Sequence, residues 1–367
     1  MWAGTLDRVH RLDLSADPVA LTAALVDIPS PSHQEEVIAD AVEQALRELI
    51  DVEVIRRGNT VAARTNRGCG SRVILAGHLD TVPLAGNVPH RLEGETMFGC
   101  GTVDMKSGLA VYLHCFANLA ASSAHDLTVI AYECEEVDGR FNGLGHLAES
   151  DPEWLEGDLA LLGEPSGAVI EAGCQGSLRV KVTAHGVRAH SARSWLGHNA
   201  AHRLGEVIRR IAEYVPRSVD IDGCVYREGI NVVKLESFVA TNTIPDQAEM
   251  FVNFRFAPDR DGQQAQDHLA EVLQLDENFT LEVDDLVLGA LPGLHHPAAA
   301  ALINAVGGTV KAKYGWTDVS RFAELGIPAV NFGPGDPSFA HKIDEQLPIA
   351  QVTRVAEQLE RFLLTHP

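Results

Sequence analysis

Apolar residues along this chain fall into two alternating rhythms. Short continuous runs bounded by Gly, Pro or Asp read as buried strands: Asp51–Ile55, Thr60–Thr65, Arg72–Ala76, Asp126–Glu133, Leu159–Leu162 and Ala329–Phe332. Between them lie segments with helical spacing. Asp17-Pro18 has the form of an N-cap followed by Pro at the first helical position. Ser32-x-x-Glu35 has the form of a capping box ahead of Ile38, Val42, Ala45 and Leu49. Further helices are expected after Val103–Gly108 through Leu119, at Ala298–Val306 and at Ala350–Leu364. Strands alternating with helices predict an α/β catalytic domain with a mostly parallel twisted sheet and helices on both faces.

The texture changes after Gly176. Leu178–Ala184, Val232–Val239, Gln247–Phe256 and Thr280–Val283 read as strands with period two. Asn199 opens an amphipathic helix with Leu204, Val207, Ile208, Ile211 and Val215 on one face, and Gln263–Leu273 reads as another. This predicts an inserted α+β lid domain over residues 177–285. The catalytic domain then comprises residues 1–176 and 286–367, with a cleft and a hinge pair near Gly173–Gly176 and Leu288–Pro292.

The chain has 367 residues and a formal net charge of -22, from 51 acidic and 29 basic residues. That balance argues against nucleic acid or an anionic membrane as partner, because both select basic surfaces. No run approaches the ~20 apolar residues of a membrane span, and Met1–Asp7 lacks the basic start of a secretion signal. The six cysteines are scattered without a CxxC pair, as expected of reduced thiols in a cytoplasmic protein.

Candidate chemistry sits at the strand ends. Gly77-His78-Leu79-Asp80-Thr81-Val82-Pro83 places an imidazole and a carboxylate two residues apart, on one face at a strand terminus. Asp104, Glu135-Glu136, Glu164 and His341 recur at similar junctions. Two divalent ions sharing a water need about three ligands each, one of them a carboxylate bridging both. Asp104, in a glycine-rich turn before a helix, suits the bridge. His78 and His341 would serve one ion each, with Glu136 and Glu164 completing the sets. Asp80 would orient His78 through its other ring nitrogen. Glu135 is left to take a proton from water and return it to the leaving group.

The wording of these segments, with Gly163-Glu164-Pro165, Ala340-His341-Lys342-Ile343-Asp344-Glu345 and Gly186–Ala192, resembles the dinuclear zinc aminoacylase and exopeptidase family from end to end. The resemblance implies two Zn2+ per subunit, with Co2+ able to substitute. His78, Asp104 and Glu164 would hold one ion; Asp104, Glu136 and His341 would hold the other. It implies hydrolysis of N-succinyl-LL-2,6-diaminopimelate to succinate and LL-2,6-diaminopimelate, on the route to lysine and the cell wall. A deacylase of another N-acyl amino acid, such as acetylornithine, is the alternative. It also implies a homodimer through the inserted domain. His190, in Gly186–Ala192, would reach the partner's site and polarise the scissile carbonyl. Arg179, Arg255 and Asn242 occupy family positions suited to carboxylate recognition, and Thr317 and Ser320 could add hydroxyl contacts. A cis peptide is expected at Asp104-Met105. Cys134 stands where many family members carry an acid, and Trp316 where many carry glycine.

Overall fold

A computed structural model describes residues 10–366. Met1–Asp7, read above as lacking a secretion signal, lies outside the described residues. The chain divides into two compact units. The first comprises Met1–Ala172, Gly293–Lys311 and Thr317–Pro367; the second comprises Gly173–Pro292 and Ala312–Trp316.

In the first unit an eight-stranded sheet runs in the order Glu53–Arg57, Thr60–Arg64, Asp126–Tyr132, Arg72–His78, Leu159–Leu162, Ala329–Asn331, Ile170–Ala172, Val310–Ala312. Its centre is parallel. Arg72–His78 pairs in parallel with Asp126–Tyr132 on one side and Leu159–Leu162 on the other, and Leu159–Leu162 pairs in parallel with Ala329–Asn331. Asp126–Tyr132 and Leu159–Leu162 are buried throughout, which explains why they read as unbroken apolar runs. The carboxyl ends of the central strands all point the same way, so His78 and the turns after Tyr132 and Leu162 come together at one edge. That is where open α/β sheets hold ligands. The α/β expectation from alternating runs is met.

The helix Lys106–Leu119 packs on the strand Arg72–His78 and against the helices Pro18–Val26 and Ile349–Leu363. Gly108 makes that approach possible. A Cβ there would lie far inside van der Waals contact with the Gly163 carbonyl oxygen, so any side chain would push the helix off the residue that precedes Glu164. Asp17 caps its helix as expected, accepting the Val19 N–H at 2.9 Å.

The capping box at Ser32 and Glu35 is not formed. The helix begins at Glu36 without a side-chain cap. The Ser32 hydroxyl instead donates to Asp80 Oδ2 at 2.8 Å. Glu35, fully buried, turns inward and accepts the backbone N–H of His33 and of Cys134. Tertiary hydrogen bonds have taken over both residues.

The second unit is built on an antiparallel sheet, ordered Gly229–Glu236, Gln247–Phe256, Gly176–His185, Phe279–Val287. Even-numbered residues Leu178, Val180, Val182, Met250, Val252 and Phe254 are buried among the helices Ala200–Glu213 and Gly262–Leu273. Odd-numbered residues occupy the opposite face. Leu204, Val207 and Ile211 join this core, but Val215 is 84% exposed: the helix ends at Glu213, before Pro216. Each fully buried Leu or Val side chain contributes ~1.5–3 kcal/mol by area removed from water.

All six cysteines are free. Cys69 is partly exposed; Cys100, Cys115, Cys134, Cys174 and Cys224 are buried. Among the described residues no helix is long and apolar enough to cross a membrane.

Candidate metal centre

The strand Arg72–His78 delivers His78 fully buried at its last position. Its Nδ1 lies 3.0 Å from the main-chain oxygen of Asp80 and 3.4 Å from Asp80 Oδ1. Donation from Nδ1–H to that carbonyl leaves the lone pair on Nε2, aimed at Asp104 Oδ1 3.2 Å away. Asp104 Oδ2 faces a second imidazole, His341 Nε2, at 3.1 Å, and the same nitrogen is 3.0 Å from Glu136 Oε1. Each oxygen of one carboxylate therefore faces a different histidine. The peptide Asp104-Met105 is cis.

Among the described residues four groups of three potential ligand atoms lie within 4.8 Å of one another; two of them share Asp104, namely His78, Asp104 and Glu164, and Asp104, Glu136 and His341, while a third sets Glu135 beside His78 and Glu136. A neutral imidazole nitrogen and a carboxylate oxygen at such separations repel unless a proton or cation lies between them. Imidazole and carboxylate donors suit zinc, with the shared carboxylate at the centre. The residues present fit a pair of divalent ions.

Electrostatics support the same reading. Burial alone would lower the His78 pKa, yet hydrogen bonds to Asp104 and Asp80 carry it well above its ordinary value. Hydrogen bonds to Asp104 and Glu136 push His341 up to about 10. Burial would raise Asp104, but hydrogen bonds from His341 and His78 hold it below the usual carboxylate range. A cation in either position would displace the protons that these imidazoles otherwise hold.

Glu135 follows the same turn as Glu136 but belongs to neither of those two groups. Burial raises its pKa well above the ordinary value, His78 opposes the rise, and the like charges of Glu164, Asp318 and Glu136 add to it. A raised pKa suits a carboxylate that takes up a proton and gives it back.

Asp80 also holds the turn that carries the two glutamates. Its Oδ1 accepts the Glu135 N–H at 3.0 Å and its Oδ2 accepts the Glu136 N–H at 3.1 Å. The turn itself passes through Cys134 in the left-handed region, φ 58°. Glu35 holds Cys134 by its N–H and by a thiol hydrogen bond of 3.3 Å. Burial, foremost, pushes that thiol up to about 12. Cys134 thus braces the turn as a protonated thiol.

Several residues carry the site without having stood out in the sequence. Glu345, 2% exposed, accepts three amides of the Asp104 loop: Val103 at 2.7 Å and Asp104 at 3.1 Å on Oε1, and Gly101 at 3.1 Å on Oε2. Burial pushes its carboxyl up to about 7 against the pull of those amides. Lys106, 1% exposed, donates to the Ile28 carbonyl at 2.7 Å, and burial lowers it to about 8. Asp318, fully buried, accepts from Asn142 and Arg321. Glu345 closes the Ala340–Glu345 segment already singled out, but its acidic character there does not mark the distant amides it accepts.

The remaining candidates are placed as follows. Thr317 and Ser320 are buried, and the Thr317 hydroxyl donates to Asn331 Oδ1 at 2.9 Å. In the second unit Arg179 and Arg255 share the sheet face away from its helices, where Arg179 is opposite Asn253 and Arg255 opposite Ser177. Arg179 is ion-paired with Asp284. His190 and Asn242 are exposed, and the Asn242 carbonyl accepts the Ser191 N–H at 2.8 Å.

Comparison with known proteins bears on this geometry. Residues 74–365 match the model of peptidase family M20/M25/M40. The chain is 62% identical over 359 residues to a succinyl-diaminopimelate desuccinylase of Corynebacterium glutamicum, covering 96% of this chain and 97% of that one. A Mycobacterium tuberculosis relative is 56% identical, covering 96% and 99%. Among solved structures, a Staphylococcus aureus tripeptidase superposes with a TM-score of 0.78 at 19% identity, covering 95% of this chain and 97% of that one. That likeness concerns the fold alone.

Proposed function

The chain belongs to peptidase family M20/M25/M40, and on that premise we propose that it hydrolyses the succinyl amide of N-succinyl-LL-2,6-diaminopimelate, releasing succinate and LL-2,6-diaminopimelate. The observation that carries this reading is the Asp104 carboxylate, whose two oxygens each face a histidine Nε2 at 3.1–3.2 Å. The enzyme is a metallohydrolase, and its relative at 62% identity is named for this substrate.

We assign two zinc ions per subunit, replaceable by cobalt: one on His78, Asp104 and Glu164, the other on Asp104, Glu136 and His341. When bound, the ions supply Lewis acidity and an acidified water. Glu135 would take a proton from the attacking water and pass it to the leaving nitrogen, a role that its raised pKa suits. Asp80 holds Glu135 in place through the backbone amide it accepts. His190 donates toward the scissile carbonyl from the partner subunit of a homodimer formed by the inserted segment. Arg179, Asn242 and Arg255 bind substrate carboxylates, with Arg179 exchanging Asp284 for the ligand; Thr317 and Ser320 contribute hydroxyl contacts to the substrate. The enzyme acts in the cytoplasm on a small anionic substrate, with no nucleic acid or membrane partner.

The test is succinate release by zinc-loaded protein, beside a metal-free control and N-acetylornithine at matched concentration. Zinc-dependent turnover of the succinyl substrate alone supports the assignment. Turnover of the acetyl substrate in its place overturns the substrate and keeps the metal chemistry.

A further inference from the structure

Of the five candidate ligands only His78 lies on a strand; Glu136 and Glu164 follow closely on strand ends, whereas Asp104 and His341 are held by longer turns. Asp104 comes from the turn Gly99–Asp104, and His341 from the turn that ends at Glu345. Both turns are short of regular secondary structure, and His341 sits at φ 62° with its side chain 51% exposed. The relative position of the two ligands must be fixed by something else.

Glu345 supplies that link. Both of its carboxylate oxygens are spent on the Asp104 loop, accepting the amides of Gly101, Val103 and Asp104. Its own backbone closes the His341 turn: Glu345 N–H donates to the Lys342 carbonyl at 3.2 Å, and the Glu345 carbonyl accepts the Gly99 N–H at 3.1 Å. The residue is 2% exposed, so these bonds do not compete with bulk water. A carboxylate gathering three amides is a strong acceptor set, and it clamps the chain on both sides of the site to one point.

We propose that Glu345 is a positioning residue that sets the spacing of Asp104 and His341, and so governs the affinity of the ion held by Asp104, Glu136 and His341. This rests on the two-ion reading above. The effect falls mainly on that ion. His78 is anchored at the end of a central strand and needs no help from the loop, whereas the His341 turn has Glu345 as its inner anchor. Asp104 is common to both ions, so the other ion feels a smaller perturbation.

Glu345→Gln tests this with little change in volume. The amide NH2 would replace one oxygen and face a backbone N–H, donor against donor. Metal-free wild type and variant would be titrated with Zn2+ against a chromophoric chelator, with apo thermal midpoints recorded alongside. Expected is two-ion uptake by the wild type, with one of the two affinities weakened ~10–100-fold in the variant, the range typical of groups that orient ligands. Equal affinities in a folded variant would overturn the proposal while leaving the two-ion reading intact. Failure of the wild type to bind two ions would overturn both.

Should the variant not fold, wild-type hydrogen exchange over residues 99–105 decides. Protection of those amides in the metal-free protein supports Glu345 as the organiser. Protection that appears only with zinc overturns it, because the metal would then be ordering the loop.

Discussion

The carboxylate of Asp80 accepts the backbone N–H of Glu135 at 3.0 Å, across 55 residues of sequence. Its second oxygen takes the next amide, that of Glu136, together with the Ser32 hydroxyl. One buried residue therefore holds an imidazole through its main-chain carbonyl and, through its carboxylate, the backbone amides of both adjacent glutamates. Asp80→Ala should lower zinc affinity and turnover together, by ~10–100-fold. Metal content by mass spectrometry and succinate release would show it; retained turnover at full zinc loading would contradict the role.

Glu135→Gln separates proton transfer from metal binding. Turnover should fall ~10²–10⁴-fold, the ordinary size of a general acid–base contribution. Zinc stoichiometry and thermal midpoint should not change, because Glu135 is placed outside the two ligand sets and its backbone bond to Asp80 survives.

His190 acts in trans if the dimer reading holds. His190→Ala should cost ~10²–10³-fold in kcat, as loss of an oxyanion donor does, with zinc binding intact. Mixing that variant with Glu135→Gln should restore activity, since one site in each mixed dimer has both groups. No recovery on mixing would place His190 elsewhere.

A matched pair of glycine substitutions tests the packing that brings Glu164 to the site. Gly108→Ala forces a methyl into the Gly163 carbonyl and should cost several kcal/mol, of order ~3, or abolish folding. Gly205→Ala, on the helix Ala200–Glu213 with open space around the added methyl, should stabilise by ~0.5–1 kcal/mol. Denaturant unfolding of both variants gives the contrast.

Acid stability should report on Glu228 in the second unit. Its carboxylate is buried against Arg217 and Arg260. Burial raises its pKa, but hydrogen bonds from those arginines outweigh burial and lower it below its usual 4.5. A lowered acid pKa adds stability that is complete above the unfolded value and is lost as pH falls through the folded one. Glu228→Gln should cost ~2 kcal/mol near pH 7, discounted because Arg217 is 36% exposed. The gap between wild type and variant should narrow in thermal melts as pH falls below the usual 4.5 and through the lowered folded-state value.

Much of the sheet was legible because burial on both faces writes unbroken apolar runs, and the ligands were legible because His78, Glu136 and Glu164 sit just at or after those runs. What escaped was set by distant backbone amides. Glu345 meets Val103 from 242 positions away, and nothing local in its turn marks that bond. Ser32 and Glu35 show the converse: a local capping pattern was present, but the Asp80 carboxylate and the Cys134 turn offered these groups better partners. Val215 kept the helical spacing but fell past a helix that Pro216 had already ended.

The distribution of thiols gives the chain a built-in reporter. Cys69 is the one partly exposed cysteine, while Cys100, Cys115 and Cys134 are sealed in the first unit and Cys174 and Cys224 in the second. A thiol reagent applied to the native protein should modify one position rapidly. Every further label then marks an opening event, and mapping it by peptide mass tells which of the two units opened.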